Sequence, residues 1–424
     1  MNTITNSGKK DYALTLYCLY IVLMCASCSD FFVSVKAQVV FLALSIFMLL
    51  RKKFNWINDK TGRILFFSFV AIVVLHFVTS GVFMWGSVKF FAILISVYFL
   101  VKGYGLFFFK RLIDVIYTLS LITVPFYILQ LLDHDLLRGI LSPVNFSFSN
   151  QGNIGGVYVF AFNLSPASWG ELYRNSGFMW EPGAFGGMLI FAIVFYFITS
   201  NFQIGKRILF LMLYALTTVS TATIFALLFF IALILITKYR KKPYIMLAYL
   251  PLLGVACFQI YSLPFMGGKI AYYTETNLDY KLSYQVGSFD EGGTSIGRFS
   301  GFMIEYDRMK NSPLIGHGWD SDYSDLGIGN EWSNPSGLSV LMGKFGLIGL
   351  LFVFICLYNL TFFKQRRSFF QRTLLAVVIL VPVFSNPFQI NIVFWSFVML
   401  GMINLVKNKA PKKRFEPTVQ LPSQ

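Results

Sequence analysis

The stretch "RILFFSFVAIVVLHFVTSGVFMWGSVKFFAILISVYFLVKGYGLFFFKR" (63–111) decides the fold. It holds two apolar runs, 64–80 and 84–101, joined by a short uncharged turn. Arg63 flanks the pair on one side, and Lys102, Lys110 and Arg111 flank it on the other. About 20 apolar residues in a helix cross roughly 30 Å of hydrocarbon, so each run reads as a membrane span. Lysine and arginine collect on the cytoplasmic side. The hairpin therefore enters and leaves on that side, with its neutral turn outside.

The same pattern extends in both directions. Apolar runs occur at 11–29, 32–50, 112–132, 183–200, 208–219, 222–237, 244–262, 336–357, 373–385 and 388–406. With the N-terminus inside, alternation puts most of the 35 lysines and arginines at cytoplasmic ends, from Lys9 and Lys10 to the cluster at 407–414. Two intervals need a break to obey this rule. Residues 207–237 are too long for one span, about 46 Å at 1.5 Å per residue, and both Arg207 and Lys238 read as cytoplasmic. A hairpin broken at "TTVSTAT" (217–223) satisfies both ends. Between Arg372 and Lys407 the break falls at "SNPFQIN" (385–391), where Pro387 stops a helix. The expectation is an all-α, polytopic membrane protein of about twelve spans. Residues 1–424 form one membrane domain with both termini cytoplasmic, two large outer loops (133–182 and 263–334) and a solvated tail at 407–424.

The net charge of +16 is spread over seven cytoplasmic ends and not gathered on one face, so it marks topology and lipid contact, not a nucleic-acid partner. Both outer loops are acidic instead. All five cysteines lie in expected spans, so no disulfide staples those loops. Cys25 and Cys28 form C-x-x-C inside an apolar helix and read as packing residues. Lys9 and Lys10 ahead of 11–29 also mimic a signal peptide, but eleven further spans favour a retained helix. With no nucleotide-binding motif, any chemistry draws on energy stored in a substrate or a gradient. Two N-x-S matches, at Asn145 and Asn163, are short enough to arise by chance.

The outer loops hold the candidate chemistry. The first ends in "RNSGFMWEPGAFGGML" (174–189), placing Arg174 and Glu181 at the membrane edge before Pro182. Proline favours the first turn of a helix, and a carboxylate there is stabilised by the helix dipole. Glu181 is thus either a cap or a working acid, and Arg174 either an interface anchor or an anion ligand. In the second loop, "IGRFSGFMIEYDRMKNSP" (296–313) predicts a helix with Phe299, Phe302, Met303, Tyr306 and Met309 on one stripe, suited to the bilayer surface. Arg298 and Glu305 stand at the edge of that stripe, and Arg308 points further out. Headgroup-level arginine serves lipid phosphates or simply snorkels.

His317 follows in "SPLIGHGWD" (312–320); an imidazole takes a proton from a hydroxyl near neutral pH, although a loop histidine is also commonly incidental. Asp320, Asp322 and Asp325 lack the full spacing of a calcium loop, and no metal site is expected. Lys36, Lys89 and Lys344 lie in or at the ends of spans, where an ionisable group needs a reason. Lys36 and Lys89 are near outer ends; Lys344 is close enough to the second loop to join a site.

Four segments, "RNSGFMWEPGAFGG" (174–187), "GRFSGFMIEYDRMKNSPLIGHGWD" (297–320), "NPSGLSVLMGKFGLIGLL" (334–351) and the "TTVSTAT" break, resemble the bacterial O-antigen polymerase and O-antigen ligase superfamily. The likeness covers roughly 170–355 in order, and the first five spans match in layout alone. It implies a C-type membrane glycosyltransferase of the bacterial inner membrane, needing no cofactor, metal or nucleotide sugar. The enzyme would pass a glycan from undecaprenyl diphosphate to a hydroxyl on the next lipid-linked repeat unit at the periplasmic face. Expected partners are those lipid-linked glycans, membrane lipid, a chain-length regulator and a flippase.

By the same resemblance Arg174 and Arg298 hold the diphosphate, a role that charge-assisted bonds suit and to which Arg308 is added. Trp180, Trp319 and Trp332 either stack on sugar faces or are ordinary interface tryptophans, and Asn334 is placed with the sugar-binding residues. Ligase relatives carry a histidine where this chain has Asn334, preceded by Glu331. The base is therefore sought in Glu181 first, with His317 and Glu331 as substitutes, and the polymerase branch is favoured. A ligase moving the glycan to lipid A-core shares the site logic. A lipid-linked oligosaccharide transporter would show internal repeats and groups near the bilayer midplane, and the sequence shows neither.

Overall fold

The computed structural model describes residues 11–27, 30–53, 59–81, 83–146, 156–164, 168–169, 172–200, 202–239, 251, 254, 258, 298–319, 336–360, 368–386 and 391–409. Helices occupy the place of each expected span before residue 240 and after residue 335: α1 (Tyr12–Ala26), α3 (Val35–Arg51), α4 (Lys60–Ser80), α5 (Trp85–Tyr104), α6 (Leu106–Leu132), α8 (Pro182–Thr199), α9 (Lys206–Leu216), α10 (Thr221–Tyr239), α12 (Gly337–Tyr358), α13 (Phe369–Ser385) and α14 (Ile392–Lys409). Shorter helices are α2 (Asp30–Val33), α7 (His134–Leu141) and α11 (Arg298–Met309). Residues 251, 254 and 258 are helical, and the rest of the expected span 244–262 lies outside the described residues.

Among the described residues six helices, α4, α5, α6, α8, α10 and α12, are long and apolar enough to cross a membrane, and α1, α13 and α14 are shorter apolar helices. The chain is a mainly helical, multi-pass membrane protein. α8 is the central helix: 89% of its apolar window is buried, and it packs against α6, α9, α10 and α13. α4 lies at the rim with 22% buried, so Phe66, Phe67, Val70 and Val74 are exposed apolar surface of the kind lipid covers.

Local chemistry sets the helix ends. Asp11, Ser34, Asp59 and Asp133 accept backbone N–H bonds at the starts of α1, α3, α4 and α7. Ser368 and Gln371 form a reciprocal capping box at α13. The first expected break is present, α9 and α10 being parted by 217–220, and α13 ends at Ser385 with Asn386 in extended backbone; Pro387 lies outside the described residues.

Polar contacts sort the helix ends into two sets. At one end Arg51 pairs with Asp11 at 2.7 Å and Arg207 with Asp114 at 3.0 Å. Lys102 and Tyr98 both donate to Asp59 there, and Tyr196 donates to Asp114. Burial alone would raise the Asp59 carboxyl, but the bonds from Lys102 and Tyr98 and the Lys102 charge hold it below its ordinary value. This is the end at which the basic residues gather. The opposite end carries α7, the strands that follow it and the turn 313–318.

Two features depart from the sequence expectation. The sequence predicts an all-α chain, yet in the first loop α7 is followed by antiparallel hairpins, β1 (Val157–Val159) with β2 (Phe162–Leu164) and β3 (Ser168–Trp169) with β4 (Leu172–Tyr173). The helix expected at 296–313 forms as α11, but it packs on α12. Of the expected stripe Met309 is buried and Tyr306 exposed, and Ile304 and Glu305 from outside it are buried. Contact with α12, far along the chain, outweighs the apolar stripe in choosing the face.

Candidate functional site

Arg174 follows β4 and runs beside the α9–α10 break. Its Nε donates to the Thr218 carbonyl at 3.2 Å. Asn175 secures the same strip: its backbone N–H bonds the Thr217 carbonyl at 3.1 Å and its Nδ2 donates to Thr217 Oγ1 at 2.8 Å. Tyr127 of α6 donates to the Tyr173 carbonyl. From β2, Asn163 Nδ2 donates to the carbonyls of Met179 and Trp180 at 3.0 and 3.2 Å. The small hairpin thus fixes the approach to Glu181. Asn163 is 5% exposed, so this sequon is a packing residue.

Glu181 is the N-cap residue of α8, in extended backbone, and its carbonyl accepts from Phe185 N–H. Its side chain makes no capping hydrogen bond, so the carboxylate is not consumed as a cap. Beyond it, Gly183 lets Asn386 and Ser220 approach the first turn of α8: a β-carbon there would lie 3.1 Å from Asn386 Oδ1 and 3.5 Å from Ser220 Oγ. Gly337 N–H donates to the Asn386 carbonyl, and Ser336 Oγ donates to the Phe384 carbonyl. Phe302 of α11 packs on Phe384 with ring centroids 5.9 Å apart. The starts of α8, α10 and α12 and the end of α13 therefore meet in a seam of buried polar groups, comprising Thr218, Ser220, Thr223, Ser336, Ser339 and Asn386.

The second part of the site is built around a break in α12. Gly346 has φ 59 and ψ −161, a conformation that favours glycine, and the helix is interrupted there. An interruption frees backbone groups that are costly to bury. The turn 313–318 satisfies them: His317 N–H and Gly318 N–H donate to the carbonyls of Gly343 and Lys344, while Leu347 N–H and Ile348 N–H donate to the carbonyls of Pro313 and Leu314. His76 of α4 holds the turn from the other side, its Nε2 3.0 Å from the Ile315 carbonyl oxygen.

This seating brings His317 Nε2 to 2.8 Å from Glu305 Oε2, and the Glu305 side chain is fully buried. Arg308, one turn further along α11, is half-buried. Lys344 Nζ donates to the Trp319 carbonyl at 2.6 Å and lies over the Trp319 ring. That ring is stacked on Phe90 at 4.5 Å, so it is engaged in packing. Trp180 is half-buried against the core. Lys36 and Lys89 are exposed.

Arg174 thus lies beside the α9–α10 break and Glu181 heads α8, whose first turn meets Ser220 and Asn386, while His317, Trp319 and Lys344 surround the break in α12. Arg298 heads α11, seven residues before Glu305, a spacing that returns to one helix face. Its side chain, Glu331, Trp332, Asn334 and the aspartates 320, 322 and 325 lie outside the described residues. Among the described residues no group of three metal-ligating side chains occurs. Sequence reasoning passed over Glu305 as a site residue, along with His76, Asn386 and Gly343. The one available signal was the pair of glycines in "MGKFG" (342–346), unusual inside an apolar run.

No family model matches the chain, and no curated protein is similar to it in sequence.

Proposed function

We propose that the chain is a bacterial inner-membrane glycosyltransferase that joins lipid-diphosphate-linked oligosaccharide repeat units into O-antigen or a related surface polysaccharide. The observation that carries this reading is that Arg174, on the Thr218 carbonyl, and Glu181, at the head of a helix whose first turn meets Ser220 and Asn386, border one seam of buried polar groups. α11, headed by Arg298, packs at the same end. The likeness of segments 174–187, 297–320 and 334–351 to polymerases and ligases adds the substrate class.

In this reading twelve spans alternate, the basic end faces the cytoplasm, and the seam opens to the periplasm. The donor's diphosphate lies against Arg174, Arg298 and Arg308, whose fixed positive charge meets the charge that develops as the glycosidic bond breaks. The acceptor is a sugar hydroxyl on the next lipid-linked unit, and it forms the new bond at the anomeric carbon. Arginine supplies the electrostatics, so the reaction draws on neither nucleotide nor metal. A flippase delivers the units and a chain-length regulator sets how many are joined.

Surface glycolipids of a deletion strain, separated on a gel with lipid-linked intermediates extracted alongside, test the reading. Core bearing a single repeat unit, with the ladder gone, is the expected result. Bare core with polymer accumulating on lipid diphosphate would assign the ligase reaction instead, and an unchanged profile would overturn glycosyl transfer.

A further inference from the structure

We infer that Glu305 and His317 form a carboxylate–imidazole pair that takes up the proton of the attacking hydroxyl, His317 as the base and Glu305 as its positioning residue. This rests on the glycosyl-transfer reading above and assigns the base within it.

Two buried acids occur among the described residues, Asp59 and Glu305. Asp59 receives Lys102 at the basic end, a permanent cation. Glu305 receives an imidazole, whose charge depends on a proton. A buried carboxylate needs compensation for lost solvation; facing a histidine, it gains most when the ring is protonated, which is the state a base reaches during the reaction. Pure packing would be served as well by an uncharged amide at 305.

The pair is held in place from several directions. The backbone at His317 and Gly318 is bonded to α12, and the turn's other end accepts from Leu347 and Ile348. Beneath the pair, a β-carbon at Gly343 would overlap Glu305 Oε2 and stand 2.9 Å from His317 Nε2, so α12 is shaped to admit both side chains. Among the described residues the other charged or titratable groups around it are Arg308 on α11, His76 on α4 and Lys344 on α12. From Gly337, which bonds Asn386 beside the first turn of α8, to Gly343 is six residues of α12, about 9 Å along the axis. A phosphate, the anomeric carbon bonded to it and an incoming hydroxyl cover such a distance together.

The step balances as follows. The acceptor oxygen forms its bond to the anomeric carbon as the bond from that carbon to the diphosphate oxygen breaks, and the electron pair leaves on the diphosphate. With Nε2–H bonded to Glu305, the hydroxyl proton passes to His317 Nδ1, Glu305 offsets the imidazolium charge, and Nδ1 returns the proton to water. An imidazole is better matched to this task near neutral pH than a carboxylate such as Glu181.

The test uses the full-length protein in lipid nanodiscs with a lipid-diphosphate-linked repeat unit. The wild type is expected to lose kcat on an acidic limb of imidazole character. Glu305→Gln keeps a hydrogen-bonding group but removes the charge. It should lower kcat by about 100-fold or more, leave KM within about threefold, and move the limb to lower pH. His317→Gln, which still donates to Glu305, should lose the same activity, and it decides the matter if Glu305→Gln fails to accumulate.

The chain has three histidines, so imidazole NMR of the labelled protein, assigned with His76 and His134 variants, adds a readout independent of turnover. The His317 titration should fall to lower pH in Glu305→Gln. Wild-type kcat and pH profile in either variant, from an active wild type, would overturn the pair alone. Absence of transfer by the wild type would overturn the pair and the underlying reading together.

Discussion

Gly343 lies directly under the Glu305–His317 pair, and any side chain there would overlap the Glu305 carboxylate. The glycine, the acid and the histidine come from α12, α11 and the turn that follows α11, so the contact ties three segments at one point. Overpacking of this kind costs about 1–3 kcal/mol. Gly343→Ala is expected to lower the thermal unfolding midpoint in detergent and to weaken activity more than its stability loss explains, because the carboxylate must move. A variant with wild-type midpoint and turnover would show that the approach is looser than the geometry gives.

How far this could be read from the sequence depends on the kind of signal. The helices were legible because hydropathy and basic ends act over whole segments: Arg207 and Lys238 forced the break found at 217–220. The place of Glu181 at the start of α8 was legible from the proline that follows it. The break at Gly346 was not, since the apolar run continues through it and the groups that satisfy it come from residues 313–318. The buried face of α11 was misread for a related reason. An isolated helix buries its apolar stripe, whereas this one turns Glu305 inward to meet a notch in α12.

Arg174 donates through Nε to the Thr218 carbonyl, a bond that fixes the base of the guanidinium. Arg174→Ala should leave membrane abundance near the wild-type level and reduce glycan transfer by about 100-fold or more, the scale of losing one oriented donor to a developing charge. Arg174→Lys should recover little, because a point charge does not reproduce the fork. Glycolipid ladders and quantitative blots on the same membranes check both. Full ladders in Arg174→Ala would remove the residue from the diphosphate site.

Glu181 stands at the head of α8 without acting as its side-chain cap. A Gln replacement therefore removes no side-chain cap from α8. In the proposed site it borders the diphosphate and the incoming sugar, so Glu181→Gln is expected to reduce turnover while retaining lipid-substrate binding. Binding and single-turnover assays on purified protein separate the two. Loss of binding with unaltered chemistry would make the carboxylate a recognition group.

At the opposite end, Asp59 joins the start of α4 to the end of α5 through Lys102 and Tyr98. The Asp59 side chain is 6% exposed and that of Lys102 29%. Breaking the pair should therefore cost less than the roughly 3–5 kcal/mol of a fully buried one, about 2 kcal/mol for Asp59→Asn. Because the carboxyl is held below its ordinary value in the folded protein, its contribution is fully present above the unfolded value near 3.9. It is lost as pH falls through the lower, folded value. Unfolding midpoints measured from neutral pH down to about 3 should converge between wild type and Asp59→Asn at the acidic limit. A constant gap between the two curves across that range would show that the aspartate acts through packing and capping alone.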